Sequence, residues 1–394
     1  MIESLVRQIA ALAASQAPTF VAVRRHLHAH PELSFEEVET SKYIQDQLKS
    51  FGIPFQVMGG TGVIGTISGI NPSRRMVALR ADMDALPIDE ANEVPYRSTR
   101  PGVMHACGHD VHTACLLGAA KILQELRTAW EGTVRLIFQP GEEKNPGGAS
   151  ILIREGVLEN PVPQAIFGLH VHPGLPAGKL SFRGGMVMAS ADELHIGIRA
   201  KGGHAASPQA TADAILAGSH LVMGLQQIIS RNNDPFNPSV LSITAFNGGN
   251  TTNVLPSTVQ LLGTFRAMNE EWRFRAHELI RRQAAAIASG MGVEIDMRID
   301  IGYPCVVNDE SLSAAAAEKA AYLVGKVNVE VTELRMGAED FAFYTHRVPG
   351  CFFRLGVGNK EKGIVDGVHT PTFNIDESAI ETGMGALALM GAAG

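Results

Sequence analysis

Apolar positions recur along this chain at two periods, and their order predicts its architecture. Ile2, Leu5, Val6, Ile9 and Leu12 fall close to helical spacing, so residues 1–17 read as an amphipathic helix. Glu3 and Arg7 interrupt this segment before any apolar run of leader-peptide length. Ser34-Phe35-Glu36-Glu37 has the spacing of a capping box and predicts a helix running to about Phe51 and stopping at Gly52. Apolar runs over 62–68, 76–81, 133–138 and 165–170 predict strands, with helices over 113–127 and 148–155 among them. Strands alternating with helices predict an α/β fold, with a largely parallel central sheet flanked by helices.

The pattern changes between residues 189 and 301. It reads strand 192–199, helix 209–229, strands 240–246 and 258–268, helix 271–290 and strand 293–299. That βαββαβ order is ferredoxin-like. Arg183-Gly184-Gly185 and Gly302-Tyr303-Pro304 flank it as suitable hinges. Beyond it the α/β pattern resumes with an Ala-rich helix 311–324, a strand 351–357 and a closing helix from about Glu377. The expected organisation is therefore a discontinuous α/β domain, 1–184 and 302–394, with an inserted domain over 185–301.

Composition narrows the function classes. A chain of 394 residues, 45% of them apolar, has the material for two cores. A net charge of −7 argues against a nucleic-acid or anionic-membrane surface. The four cysteines, 107, 115, 305 and 351, contain no CxxC pair, which points to free thiols in a reducing cytoplasm.

Candidate chemistry lies in Cys107-Gly108-His109-Asp110, Glu142-Glu143, His170-Val171-His172 and His369. Thiolate, imidazole and carboxylate are the side chains that hold transition metals. Two of these clusters follow apolar strands, and in α/β sheets ligands bind beyond the strand carboxyl ends. Such a scatter over the chain reads as an enzyme site, since local structural zinc sites show paired close spacings. Adjacent side chains point apart, so one of Glu142 and Glu143 suits a metal while the other takes a proton from water. His105 and His112 are expected in supporting positions, Cys115 in packing, and His170 rather than His172 as a ligand at a strand terminus. His369 and His204 are weak signals when taken singly. His26 and His30 share a helical face, but a basic helix end before Pro31 accounts for them. Cys107 as a thiol nucleophile competes with the metal reading, and the acids around it favour metal.

Taken together, the motifs resemble the M20 metallopeptidase family, in particular its amidohydrolase branch of hippurate hydrolases, N-acyl-amino-acid deacylases and auxin-conjugate hydrolases. The matching segments include His26-Leu27-His28-Ala29-His30-Pro31-Glu32-Leu33-Ser34-Phe35, Asp82-Met83-Asp84-Ala85-Leu86-Pro87, Met104 to His112, and Gln139-Pro140-Gly141-Glu142-Glu143. Gly202-Gly203-His204-Ala205-Ala206-Ser207-Pro208, Thr252-Asn253-Val254-Leu255-Pro256, Met336-Gly337-Ala338-Glu339-Asp340-Phe341 and His369-Thr370-Pro371 follow in order. The resemblance implies a catalytic domain with a two-metal centre and an inserted ferredoxin-like lid that mediates dimerisation. It implies Cys107, His109, Glu143, His170 and His369 as metal ligands, Glu142 as general base and His204 as a donor to the reacting carbonyl, in some members from the partner subunit. Asn253 is implied as a substrate contact, with Glu339 and Asp340 supporting the site or capping a helix over 340–346. Asp82 stands where the wider family has a histidine ligand, and Cys107 compensates. One or two divalent ions of zinc, manganese, nickel or cobalt per subunit, an N-acyl amino acid substrate and a homodimer or tetramer are implied. The alternatives are a metallo-dipeptidase or carboxypeptidase of the same family, and a non-catalytic metal-dependent binding protein. The intact Glu142 disfavours the latter.

Overall fold

The structure, a computed structural model, describes residues 2–393. Met1 and Gly394, the outer limits of the expected first helix and last domain segment, lie outside the described residues. In chain order the elements begin with α1 (Ile2–Ala29), α2 (Val38–Ser50), β1 (Phe55–Met58), β2 (Gly62–Ser68), β3 (Met76–Asp82) and α3 (His109–Glu125). Next come β4 (Thr133–Gln139), α4 (Gly148–Arg154), β5 (Ala165–Pro176), β6 (Leu180–Phe182), β7 (Gly185–Met188), β8 (Asp192–Arg199) and β9 (Gly203–His204). Then follow α5 (Ala214–Gln227), β10 (Ser239–Asn247), β11 (Val254–Leu255), β12 (Thr258–Ala267), α6 (Glu270–Met291) and β13 (Glu294–Ile301). The series closes with β14 (Val306–Asn308), α7 (Glu310–Val324), β15 (Val329–Val331), α8 (Ala342–Thr345), β16 (Gly350–Gly358) and α9 (Ala379–Ala393). Two compact units emerge. The first runs to Val187 and adds Val307–Glu333 and the chain from Asp340; the second is Met188–Val306 with Leu334–Glu339.

The first unit is built on a sheet of order β1-β2-β4-β3-β5-β16-β6-β15. Its centre, β4-β3-β5-β16, is parallel, with antiparallel neighbours β2 and β6 on either side. β3 and β16 are buried at every residue, as expected of strands covered on both faces. α1, α3 and α9 pack together. α1 does not end at Ala17: it passes through exposed Pro18 because Phe20, Val23 and Leu27 continue the buried face of Val6, Ile9 and Ala13. Each such burial contributes about 1.5–3 kcal/mol, enough to offset the roughly 3 kcal/mol cost of an interior proline. α9 is apolar almost all round, and cations hold its last carbonyls. Arg75 donates to Gly391 O at 2.9 Å and also to Ala392 O, and Lys319 Nζ donates to Ala393 O at 2.6 Å.

Three local expectations are corrected. The capping box does not form: α2 starts at Val38 without a side-chain cap, and Ser34 Oγ donates to Asp84 instead, at 2.7 Å. α3 starts at His109 rather than near Thr113, because Gly108, at φ +80°, turns the chain into the helix. β5 runs on to Pro176, so His170 is inside a strand and not at its terminus. It lies just past Gly168, where the ladder between β3 and β5 ends, while β16 continues alongside.

The second unit is an antiparallel sheet of order β10-β12-β8-β13 with α5 and α6. Leu194, Ile196 and Ile198 alternate along β8 and join Leu221, Leu225, Phe265 and Ile280 in its core. The expected helix 209–229 is shorter, since Asp213 caps α5 by accepting from Ile215 N and Leu216 N, both at 2.9 Å. Buried Asp192 binds Arg273 at 2.5 and 2.9 Å, His277 Nε2 at 2.7 Å and Gly302 N at 3.1 Å.

Candidate metal centre

In the first unit, the ends of β3 and β4, the N-terminus of α3, β5 and the loop at His369 bring their polar side chains together. Cys107 Sγ lies 3.4 Å from His170 Nε2. Glu143 Oε1 lies 3.9 Å from His109 Nε2 and 3.2 Å from His369 Nε2. Cys107, His109 and His170 offer donor atoms within 4.8 Å of one another, as do Cys107, Glu143 and His369, and also His109, Glu142 and Glu143. Ligands about 2.0–2.3 Å from a tetrahedral ion stand roughly 3.3–3.8 Å apart, so these spacings fit shared cations.

Supporting hydrogen bonds fix which ring nitrogens are free. His170 Nδ1 donates to Val171 O at 2.8 Å, which turns its Nε2 lone pair toward Cys107. His109 Nδ1 faces Asp84 Oδ1 at 3.1 Å, and its Nε2, fully buried, has no hydrogen-bond partner among the described residues. An orphaned imidazole nitrogen beside a carboxylate and a thiol is what a metal ligand requires. His369 adopts φ +63°, a conformation uncommon outside glycine, held in part by its N–H on Ala106 O at 2.8 Å.

Electrostatics point the same way. Burial pushes the Cys107 thiol up, and Glu143, Glu142 and Asp82 push it further, well above its ordinary range. An activated cysteine nucleophile needs the opposite shift. Burial opposes charge on His109, yet Asp82, Asp84 and Glu143 outweigh it and raise the ring to about 10. Burial, with His112 and Arg354, holds His170 well below its usual value and therefore neutral. The pocket sets carboxylates around imidazole and thiol donors, and a divalent cation bound there would take the place of the proton that His109 otherwise holds.

Several groups around the donors act through contacts that the sequence alone does not show. Asp84 Oδ2 accepts from Glu143 N at 3.0 Å, so one carboxylate orients both His109 and the Glu142-Glu143 turn. Arg80 donates to Gln139, to Asp82 at 2.6 Å and to Asp340 at 2.7 Å, while Asp340 also accepts from Gln139 Nε2 and Ala149 N. Asp340 thus braces β3 against β4, and the cap position of α8 is Phe341. His105 is wholly buried, and burial lowers it to about 4. His26 stacks on Tyr43, away from the cluster's donors, and Cys115 packs in the core. The acid pair at the end of β3, spaced two apart, was the available signal for Asp84.

His204 and Asn253 belong to the second unit. His204 pairs with Val254 across β9 and β11, and Asn253 O accepts from Ala205 N at 3.0 Å. His204 is exposed, and its Nδ1 accepts from Ala206 N at 3.1 Å, which leaves Nε2–H of the neutral ring as an outward donor. A cleft of about 630 Å³ lies beside this pair, lined by Gly203, Gly248, Asn250 and Val254 among others.

The sequence profile of peptidase family M20/M25/M40 matches residues 78–391. An N-acetylcysteine deacetylase of Bacillus subtilis is 41% identical over 365 residues, 91% of this chain and 92% of its own. Thermostable carboxypeptidase 2 of Saccharolobus solfataricus is 36% identical over 376 residues, 94% of each chain. The crystal structure of the Bacillus subtilis YXEP protein, described as a dinuclear metal binding peptidase from the M20 family, superposes with a TM-score of 0.83. It is 36% identical, covering 96% of this chain and 98% of that one.

Proposed function

We propose, from the premise that the chain belongs to peptidase family M20/M25/M40 and is a metal-dependent hydrolase of amides, that it releases amino acids from N-acyl amino acids. The observation that carries the reading is the meeting of Cys107, His109, Glu143, His170 and His369 beside Glu142. Those five side chains would hold one or two divalent ions. Cys107 belongs to two of the donor groups, and its sulfur favours zinc, nickel or cobalt, with manganese also compatible through the carboxylate and imidazoles. Divalent ions bound there would supply polarisation of an amide carbonyl and a lowered pKa of water.

The chain's own groups supply the rest. Glu142 takes a proton from the attacking water and passes it to the amide nitrogen as the carbon–nitrogen bond breaks. His204, with Nδ1 committed to Ala206 N, donates through Nε2 to the oxygen that gains charge, a contribution of about 3 kcal/mol. Asn253 contacts the substrate. The second unit serves as lid and as the dimerisation surface of a cytoplasmic homodimer.

Glu142→Gln tests the assignment. It should retain bound metal and lose about 10²–10⁴-fold in kcat, the usual range for a general base. Near-normal hydrolysis by that variant would rule the role out. The carboxypeptidase relative favours a second reading, in which the acyl group is itself a peptide. Assays of N-acetyl and N-benzoyl amino acids beside peptides decide between them, since faster turnover of peptides would reverse the order.

A further inference from the structure

We infer that Glu37 is a positioning residue for the Glu142 carboxylate, acting through the backbone N–H of Gly141; this rests on Glu142 as the proton carrier. Glu37 is completely buried, at 0% exposure, and makes no cap hydrogen bond with the helix it precedes. Its Oε1 accepts from Gly141 N at 2.8 Å and from Phe35 N at 2.9 Å, and its Oε2 accepts from Thr61 Oγ1 at 2.8 Å. Burial and nearby Asp84 push its carboxyl up to about 7 despite these donors, which hold the side chain where it grips the turn. The residue on the other side of Glu142 is gripped in the same way, Glu143 N donating to Asp84 Oδ2 at 3.0 Å. Glu142 is therefore the one residue between two backbone amides fixed by buried acids from distant segments. Gly141 has φ +58°, and a Cβ there would stand 2.3 Å from the Phe35 ring, so Phe35 closes over the turn that Glu37 anchors.

A displacement of a reacting group by 1 Å costs about 100-fold in rate. Glu37→Met keeps the side-chain volume and removes the acceptor, whereas Glu37→Gln keeps an acceptor for Gly141 N–H. In the metal-loaded enzyme, Glu37→Met should lower kcat about 100-fold with KM and bound metal unchanged, and Glu37→Gln should stay within about threefold of the parent. In metal-free protein, amide hydrogen exchange of a peptide covering 138–147 should accelerate in Glu37→Met and match the parent in Glu37→Gln. If Glu37→Met does not fold, Glu37→Asp retains the carboxyl group and draws the acceptor back by one methylene, with the same expected loss of kcat. Full kcat in Glu37→Met or Glu37→Asp, or equal loss in Glu37→Gln and Glu37→Met, overturns the assignment. An active Glu142→Gln would instead remove the proton-carrier reading itself, whereas an inactive Glu142→Gln beside a fully active Glu37→Met removes only the positioning role.

Discussion

His112 Nε2 accepts the backbone N–H of Val171 at 2.9 Å, so the opposite nitrogen, Nδ1, carries the proton that Asp82 Oδ1 receives at 2.6 Å. This imidazole joins the end of β3 to the strand residue beside His170, and Val171 O in turn holds His170 Nδ1 at 2.8 Å. His112→Ala should therefore weaken metal binding about 10–100-fold, the usual effect of losing a group that orients a ligand. Competitive metal titration reads the change, and unaltered affinity would show that β5 places His170 without help.

Metal removal and thiol chemistry give opposite answers for the two readings of Cys107. A chelator should abolish amide hydrolysis, and added zinc or manganese should restore it. The raised thiol pKa also predicts slow alkylation of Cys107 at pH 7 in metal-free protein, followed by mass spectrometry. Hydrolysis that persists in chelator but stops on alkylation would return the cysteine-nucleophile reading.

The second unit should carry an acid-sensitive anchor. Burial opposes ionisation of Asp192, but the hydrogen bonds and charges of Arg273 and His277 outweigh it and hold the carboxyl below its usual range. A depressed folded value means that the stabilisation is complete above the unfolded pKa of about 3.9 and is lost as pH falls through the folded value. Asp192→Asn should cost about 3–5 kcal/mol at pH 7 and flatten the decline of stability below about pH 4. Urea unfolding at several pH values measures both, and parallel acid limbs in parent and variant would discount the anchor.

Pro18 lies exposed within a continuous helix, so Pro18→Ala restores a backbone donor without disturbing the buried face. A gain of about 1–2 kcal/mol is expected, the helix penalty of proline being partly offset by its stiffening of the unfolded chain. A lower melting temperature for Pro18→Ala would mean that the ring packs productively where it stands.

The sequence pattern was most informative where one face or both faces of an element are buried. β2, β3, β4 and β8 lie within a residue of their expected bounds because burial alone dictates their apolar runs. Short strands such as β6 and β15, three residues each, carry too few positions for a period to show. Metal-type side chains announced themselves by residue chemistry, and His112 and Asp340 were expected in support, but the atoms that the supporting groups reach were not legible. Glu37 sits at capping-box spacing, and only the fold reveals that its carboxylate turns from α2 to Gly141. Asp84 and His112 likewise act on backbone amides more than twenty residues away, and no local pattern encodes such a contact.

α9 covers Leu79, Leu123 and Val134 near Gly391, and carbonyls at that same end rest on Arg75 and Lys319. During synthesis those apolar surfaces and both cations emerge long before the helix that meets them. The nascent first unit consequently holds an open greasy seam until residue 393 has left the ribosome, and a holdase chaperone that shields this seam should raise the yield of native chain.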